Sequence, residues 1–184
     1  MAVNKKWGWI VAIVVVAVIA FWGIRSTSVT RSEVSAQGET GTVNQGQAAP
    51  AFELANLQGE TVSLKEFKGQ KVYVKYWASW CPICLAGLEE LNELSGGNHD
   101  YKVLTIVSPG YHGEKSAEDF TSWFSKRGYN NVEVLLDNDG TLAKKFGVKG
   151  YPTSYYIGSD GTLVKGSPGH QTNEVIEQTF QSIH

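Results

Sequence analysis

The chain opens on an uncharged run, Trp7 to Ile24, with Lys5 and Lys6 before it and Arg25 after it. Its middle, Ile10 to Phe21, is almost wholly aliphatic. About 18 apolar residues in a helix span a bilayer core, so residues 1–25 are expected to be an N-terminal transmembrane helix serving as a membrane anchor. The alternative is a cleaved signal peptide, which has a shorter apolar region and a small-residue cleavage site; Val34-Ser35-Ala36 offers such a site, some distance from the apolar run. Residues 26–46 are polar and show no hydrophobic period, and are expected to form a flexible tether.

From residue 47 the pattern becomes that of a folded domain, expected to occupy 47–184. Ala51–Leu57 and Thr61–Ser63 read as short strands around the turn at Gln58-Gly59, and Leu64–Phe67 as one helical turn. Lys71–Trp77 is rich in β-branched and aromatic residues and predicts a buried strand. Apolar residues then recur at Ile83, Leu85, Leu88, Leu91 and Leu94 with glutamates between them, which predicts a helix from Pro82 that ends at Gly96-Gly97. Tyr101–Val107 and Val132–Leu136 predict strands, and Ser116–Arg127 an amphipathic helix between them. Asp139 is expected to cap a helix through Phe146, closed by Gly147. Ser154–Ile157 and Thr162–Lys165 flank Ser159-Asp160-Gly161 as a hairpin, and Gln171–Ile183 predicts a last helix. The fold class is therefore α/β, a central mixed sheet with helices on both faces.

Charge changes the picture in one respect. Up to Arg31 the only ionised side chains are Lys5, Lys6, Arg25 and Arg31; beyond it 12 basic residues face 18 acidic ones. That balance opposes contact with phosphate backbones, so no nucleic-acid partner is expected. The basic N-terminus favours a cytoplasmic tail with the remainder translocated, although Arg25 and Arg31 weaken that bias. The first cysteine after the apolar run is Cys81, which excludes a lipid-modified cysteine beside it.

The chain holds two cysteines, in Trp80-Cys81-Pro82-Ile83-Cys84, between a predicted strand and a predicted helix. That placement puts Cys81 at a helix N-terminus, where free N–H groups and the helix dipole favour a thiolate. The thiolate is the attacking species in disulfide exchange, and Cys84, one turn on, can resolve a mixed disulfide. Half a zinc site is the competing reading, but zinc takes four ligands and His99, His112, His170 and His184 show no matching spacing. A purely structural disulfide would close too short a loop to constrain the unfolded chain much. No Gly-x-Gly-x-x-Gly occurs, so no bound cofactor is expected; the cysteine pair is itself the redox group.

WASWCPIC after a strand, followed by Gly150-Tyr151-Pro152-Thr153 before another strand, resembles the thioredoxin superfamily over roughly residues 47–184, in particular the TlpA/ResA-like extracytoplasmic thioredoxins. The resemblance implies a thioredoxin-like fold. It also implies a cis proline at Pro152 lying against the cysteines, with the preceding backbone at Tyr151 pairing with a substrate chain. Trp80, Pro82 and Ile83 would complete the docking surface. Lys75–Leu85, Ile106–Gly110 and Phe120–Phe124 look like the thioredoxin-like domains that work with methionine sulfoxide reductases. That likeness implies a reductase of such a partner's disulfide, itself re-reduced by a membrane thiol carrier, with its catalytic domain on the extracytoplasmic side of the cell membrane.

Two departures from the family stand at proton-handling positions. Lys75 lies where cytoplasmic thioredoxin has a buried aspartate, and Gly87 where ResA-type reductases have a glutamate. Lys75 is expected to carry its charge to solvent along its stem, the alternative being a cation that favours a thiolate. Trp77 is expected beside the site or in the core, His112 in a solvated loop, and His170 near the cap of the last helix. Competing functions are a disulfide-forming oxidase, which Cys-Pro-x-Cys also suits, a cytochrome c maturation reductase, and a tethered binding module whose cysteines only hold the fold.

Overall fold

The computed structural model describes residues 44–184. The expected anchor (1–25) and most of the tether (26–46) lie outside the described residues; among the described residues no helix is long and apolar enough to cross a membrane.

Eight strands form one mixed sheet: β1 (Gln47–Ala48), β2 (Glu53–Asn56), β3 (Thr61–Ser63), β4 (Lys71–Tyr76), β5 (Tyr101–Val107), β6 (Val134–Leu136), β7 (Thr153–Ile157) and β8 (Thr162–Pro168). Their spatial order is β1-β8-β7-β4-β5-β6-β2-β3. β4 pairs in parallel with β5 and antiparallel with β7, so it lies at the centre, buried on both faces as its unbroken run of β-branched and aromatic residues requires. Five α-helices complete the domain: α1 (Pro82–Ala86), α2 (Leu88–Gly96), α3 (Ala117–Phe124), α4 (Thr141–Phe146) and α5 (Asn173–Gln181).

Side chains alternate across β4 and divide the core in two. Tyr73 and Trp77 join Leu88, Leu91, Phe120, Phe124, Ile176 and Phe180 on the face covered by α2, α3 and α5. Val72, Val74 and Tyr76 join Leu104, Leu142 and Phe146 on the face covered by α4. Trp77 is core, packed on the rings of Phe120 and Phe124.

Two local expectations need correction. The single helix predicted from Pro82 to Leu94 is two, because Gly87 adopts φ −95° and ψ 9° and breaks the helix between α1 and α2. The cap of α4 is not Asp139, which stands at φ 64° inside a 3-10 turn. Buried Asp137 takes that role: its carboxylate accepts the N–H of Leu142 at 2.9 Å and of Ala143 at 2.7 Å. Gly147 closes α4 in the left-handed region, as its position predicts. The last helix is capped by Thr172, two residues after His170, which lies near the cap as expected.

Candidate active site

Cys81 is the N-cap of α1, with Pro82 in the first turn, where its missing N–H costs no helical bond. The two cysteines form a disulfide across that turn, with Cα atoms 5.2 Å apart. The Cys81 sulfur accepts the N–H of Cys84 at 3.3 Å, the donor that would hold a Cys81 thiolate once the bond is reduced. Cys81 is 4% exposed and Cys84 2%, so the pair lies almost wholly beneath the surface.

The rim is apolar and open. Trp80 is 49% exposed and Ile83 52%, and Trp80 meets the edge of the Tyr151 ring with centroids 5.9 Å apart. Tyr151-Pro152 is a cis peptide, and the Tyr151 carbonyl lies 3.7 Å from the Cys81 sulfur. Trp80, Tyr151, His112, Val148, Lys149 and Gly150 line a cleft of about 190 Å³ beside it. The structure therefore brings together Cys81, Cys84, Trp80, Ile83, Tyr151 and Pro152, with exposed Pro82 between the cysteines. His112, expected in a solvated loop, is exposed and also borders this cleft.

Two features of the site were missed or misread in the sequence. Glu114, buried at the end of the Tyr111-His112-Gly113 loop, accepts the N–H and the hydroxyl of Ser79 and the N–H of Lys115. It ties the loop after β5 to the segment leading into Cys81. No motif marks it; a lone glutamate in a loop carries no sequence signal of burial.

Lys75 does not reach solvent. It is 2% exposed, on the same face of β4 as Tyr73 and Trp77, between Thr105 of β5 and Ser154 of β7. Burial pulls its ammonium down to about 8, against a smaller upward pull from Glu90. The snorkelling expected from its long stem fails because a central strand offers no path to water. At the Gly87 position the space a side chain would take is filled by the His170 ring: a Cβ there would lie 2.8 Å from Nδ1.

With this geometry in place, comparison with known proteins is decisive. The AhpC/TSA family model matches residues 45–165. The chain belongs to the AhpC/TSA family. An uncharacterized protein of Haemophilus influenzae is 46% identical over 125 residues, 67% of this chain and 80% of that one. The thiol-disulfide oxidoreductase ResA of Bacillus thuringiensis subsp. konkukian is 29% identical over 75% of this chain and 78% of its own. Among solved structures, the pneumococcal exposed lipoprotein thioredoxin from Streptococcus pneumoniae superposes with a TM-score of 0.70 at 44% identity, covering 73% of this chain and 100% of that one. The N-terminal domain of PilB from Neisseria gonorrhoeae gives 0.62 at 28%, covering 66% and 82%.

Within the AhpC/TSA family this chain has the thioredoxin-like fold and is a thiol–disulfide oxidoreductase of the ResA type, acting through a Cys81–Cys84 pair at disulfide distance.

Proposed function

We propose that this oxidoreductase works outside the cytoplasm, held at the membrane by residues 1–25, and reduces the disulfide of a surface protein, a methionine sulfoxide reductase first among the candidates. A membrane thiol carrier would re-reduce it. The observation that carries this reading is the site's shape. A nearly buried Cys81 sits under an exposed apolar rim of Trp80 and Ile83, beside the Tyr151 carbonyl. That arrangement suits an extended protein segment laid along Tyr151-Pro152, with its disulfide delivered to Cys81, better than a small thiol. The name of the pneumococcal relative, an exposed lipoprotein thioredoxin, supports placement at a cell surface.

In the first exchange Cys81 attacks the partner's disulfide; in the second Cys84 attacks Cys81 and frees the reduced partner. Replacing Cys84 with alanine stops the reaction between the two. Full-length C84A expressed in its host and isolated under non-reducing conditions should carry a methionine sulfoxide reductase and a polytopic membrane thiol carrier, both disulfide-linked to Cys81. Recovery of many secreted disulfide-bonded proteins and neither of these would overturn the reading.

One observation favours the reverse direction. Lys75 buries an amine on the face of β4 that carries the cysteines, and a cation beside a thiolate stabilises the reduced pair, making the protein more oxidising. The reduction potential separates the two directions: a value near about −270 mV marks a reductase, one near about −120 mV a strong oxidant.

A further inference from the structure

Resolution of the mixed disulfide requires Cys84 to lose its proton while it is buried. Cys84 is 2% exposed, so solvent is not its acceptor. The imidazole of His170 packs against Gly87, close in sequence to Cys84. Gly87 is one turn beyond Cys84 and donates its N–H to the Cys84 carbonyl. Helix positions three apart share a face, with Cβ atoms about 5–6 Å apart. The His170 ring occupies the side-chain space above Gly87, with Cε1 2.7 Å and Nδ1 2.8 Å from where a Cβ would stand. Gly87 thus leaves room for His170 to pack on the C-terminal end of α1, three residues on from Cys84.

The ring is oriented for this task. His170 Nε2 lies 3.0 Å from a carboxylate oxygen of Glu90. The other oxygen of Glu90 accepts the Asn173 N–H at 2.8 Å, and the Glu90 carbonyl accepts the Asn173 side-chain amide at 2.9 Å. Glu90 is therefore anchored to the first turn of α5 and holds the ring by its Nε2–H. In the neutral ring this leaves the lone pair on Nδ1. Nδ1 is buried and makes no hydrogen bond among the described residues. A buried polar atom without a partner costs stability, and an S–H donated by the reduced Cys84 would supply the missing partner.

We propose that His170, oriented by Glu90, takes the proton from Cys84 when the mixed disulfide is resolved. The proposal rests on the exchange activity and not on the identity of the partner. The step balances. The Cys84 S–H proton passes to Nδ1, and the thiolate attacks the Cys81 sulfur. The Cys81–Cys84 bond forms as the bond from Cys81 to the partner breaks. The electron pair leaves with the partner's sulfur, which is protonated from the imidazolium or from water. Over both exchanges the cysteine pair loses two electrons and the partner gains two. The Glu90 carboxylate stabilises the imidazolium while it lasts.

The charged and titratable groups around the ring are few. Glu90 comes from α2 and Cys84 from α1. From the sheet, Lys75 and Tyr73 of β4 feel the charge of Glu90, and burial keeps the Tyr73 hydroxyl neutral. Glu174 and Glu177 of α5 are exposed.

The test reads each cysteine alone. In C81S protein the rate of Cys84 alkylation by iodoacetamide is followed against pH, with His170 intact and as H170Q. An adjacent imidazolium favours a thiolate, so H170Q should raise the midpoint by about one pH unit, an approximately tenfold slower reaction at neutral pH. In C84S protein the Cys81 profile should not move. Superimposable Cys84 profiles, or equal shifts at both cysteines, would overturn the proposal. A readout free of substitutions runs alongside: the NMR titration of the His170 ring in the unsubstituted protein should differ between disulfide and dithiol forms, and identical titrations would also overturn it. Exchange of the unsubstituted protein with a peptide disulfide is measured in parallel. Normal exchange with a Cys84 profile indifferent to His170 sinks the proton role alone, whereas absent exchange sinks the activity on which it rests.

Discussion

Glu114 binds Ser79 twice, through its backbone N–H and through its hydroxyl, each at 2.5 Å, two residues ahead of Cys81. Lys115 adds a bond from its ammonium to the Ser79 hydroxyl at 2.9 Å. The loop after β5 is thereby clamped to the approach to the active cysteine. Replacing Glu114 with alanine leaves buried donors unpaired and should cost about 1–3 kcal/mol of stability. The measurement is a urea unfolding midpoint on oxidised protein; a midpoint unchanged from the parent would show the clamp to be idle.

Trp80 and Ile83 are the two exposed apolar side chains beside Cys81. Little packing depends on them, so W80A and I83A should change stability by no more than about 0.5 kcal/mol. Reduction of a protein disulfide should nevertheless slow several-fold, while reduction of a small-molecule disulfide stays near parental rates. Equal losses on both substrates would argue against a docking rim.

Lys75 makes stability depend on pH in a defined window. Its folded-state pKa, lowered by burial to about 8, lies below the unfolded value near 10.5. Between these values the unfolded chain binds the extra proton, so stability rises with pH, by at most about 1.4 kcal/mol per unit. Above about pH 10 the raised tyrosines, Tyr73 and Tyr76 among them, reverse the trend, because burial keeps them protonated only in the folded state. Urea melts of the oxidised protein at pH 7 to 10 should show the rise, and K75M should abolish it while being the more stable protein near neutrality. A flat profile in the parent would contradict the burial of this amine.

Asp137 holds the first turn of α4 through Leu142 and Ala143 and accepts the Ser108 hydroxyl at 3.3 Å. D137A should destabilise the domain by about 2–3 kcal/mol, since a cap is lost and buried donors are stranded. D139A should change little by comparison. Thermal melts of the two variants check this reassignment of the cap.

The elements with strong periodicity were legible in the chain. Lys71–Trp77 and Tyr101–Val107 are runs whose composition alone predicts buried strands; the second forms as read and the first ends one residue earlier, at Tyr76. The cysteine pair was legible because its chemistry depends on local geometry: a helix start and a two-residue gap suffice to bring the sulfurs together. Errors fell where a residue's state depends on what packs against it. Lys75 was read from its own flexible stem, yet the sheet and helices around it close every route to water. Asp139 stands just ahead of the helix in sequence, but the turn at Asn138–Gly140 leaves the first N–H groups of α4 to Asp137.

The sequence by itself determined the fold class, the strand-to-helix junction that carries Cys81 and Cys84, and the exchange chemistry of that pair, because each follows from short-range spacing. Only the tertiary structure placed Glu114 on Ser79, buried Lys75, and set His170 over Gly87, 83 residues away from it in the chain. These contacts join segments distant in sequence, and no local pattern encodes them. They arise when the sheet order brings the loop after β5 and the start of α5 to the helix that begins at Cys81.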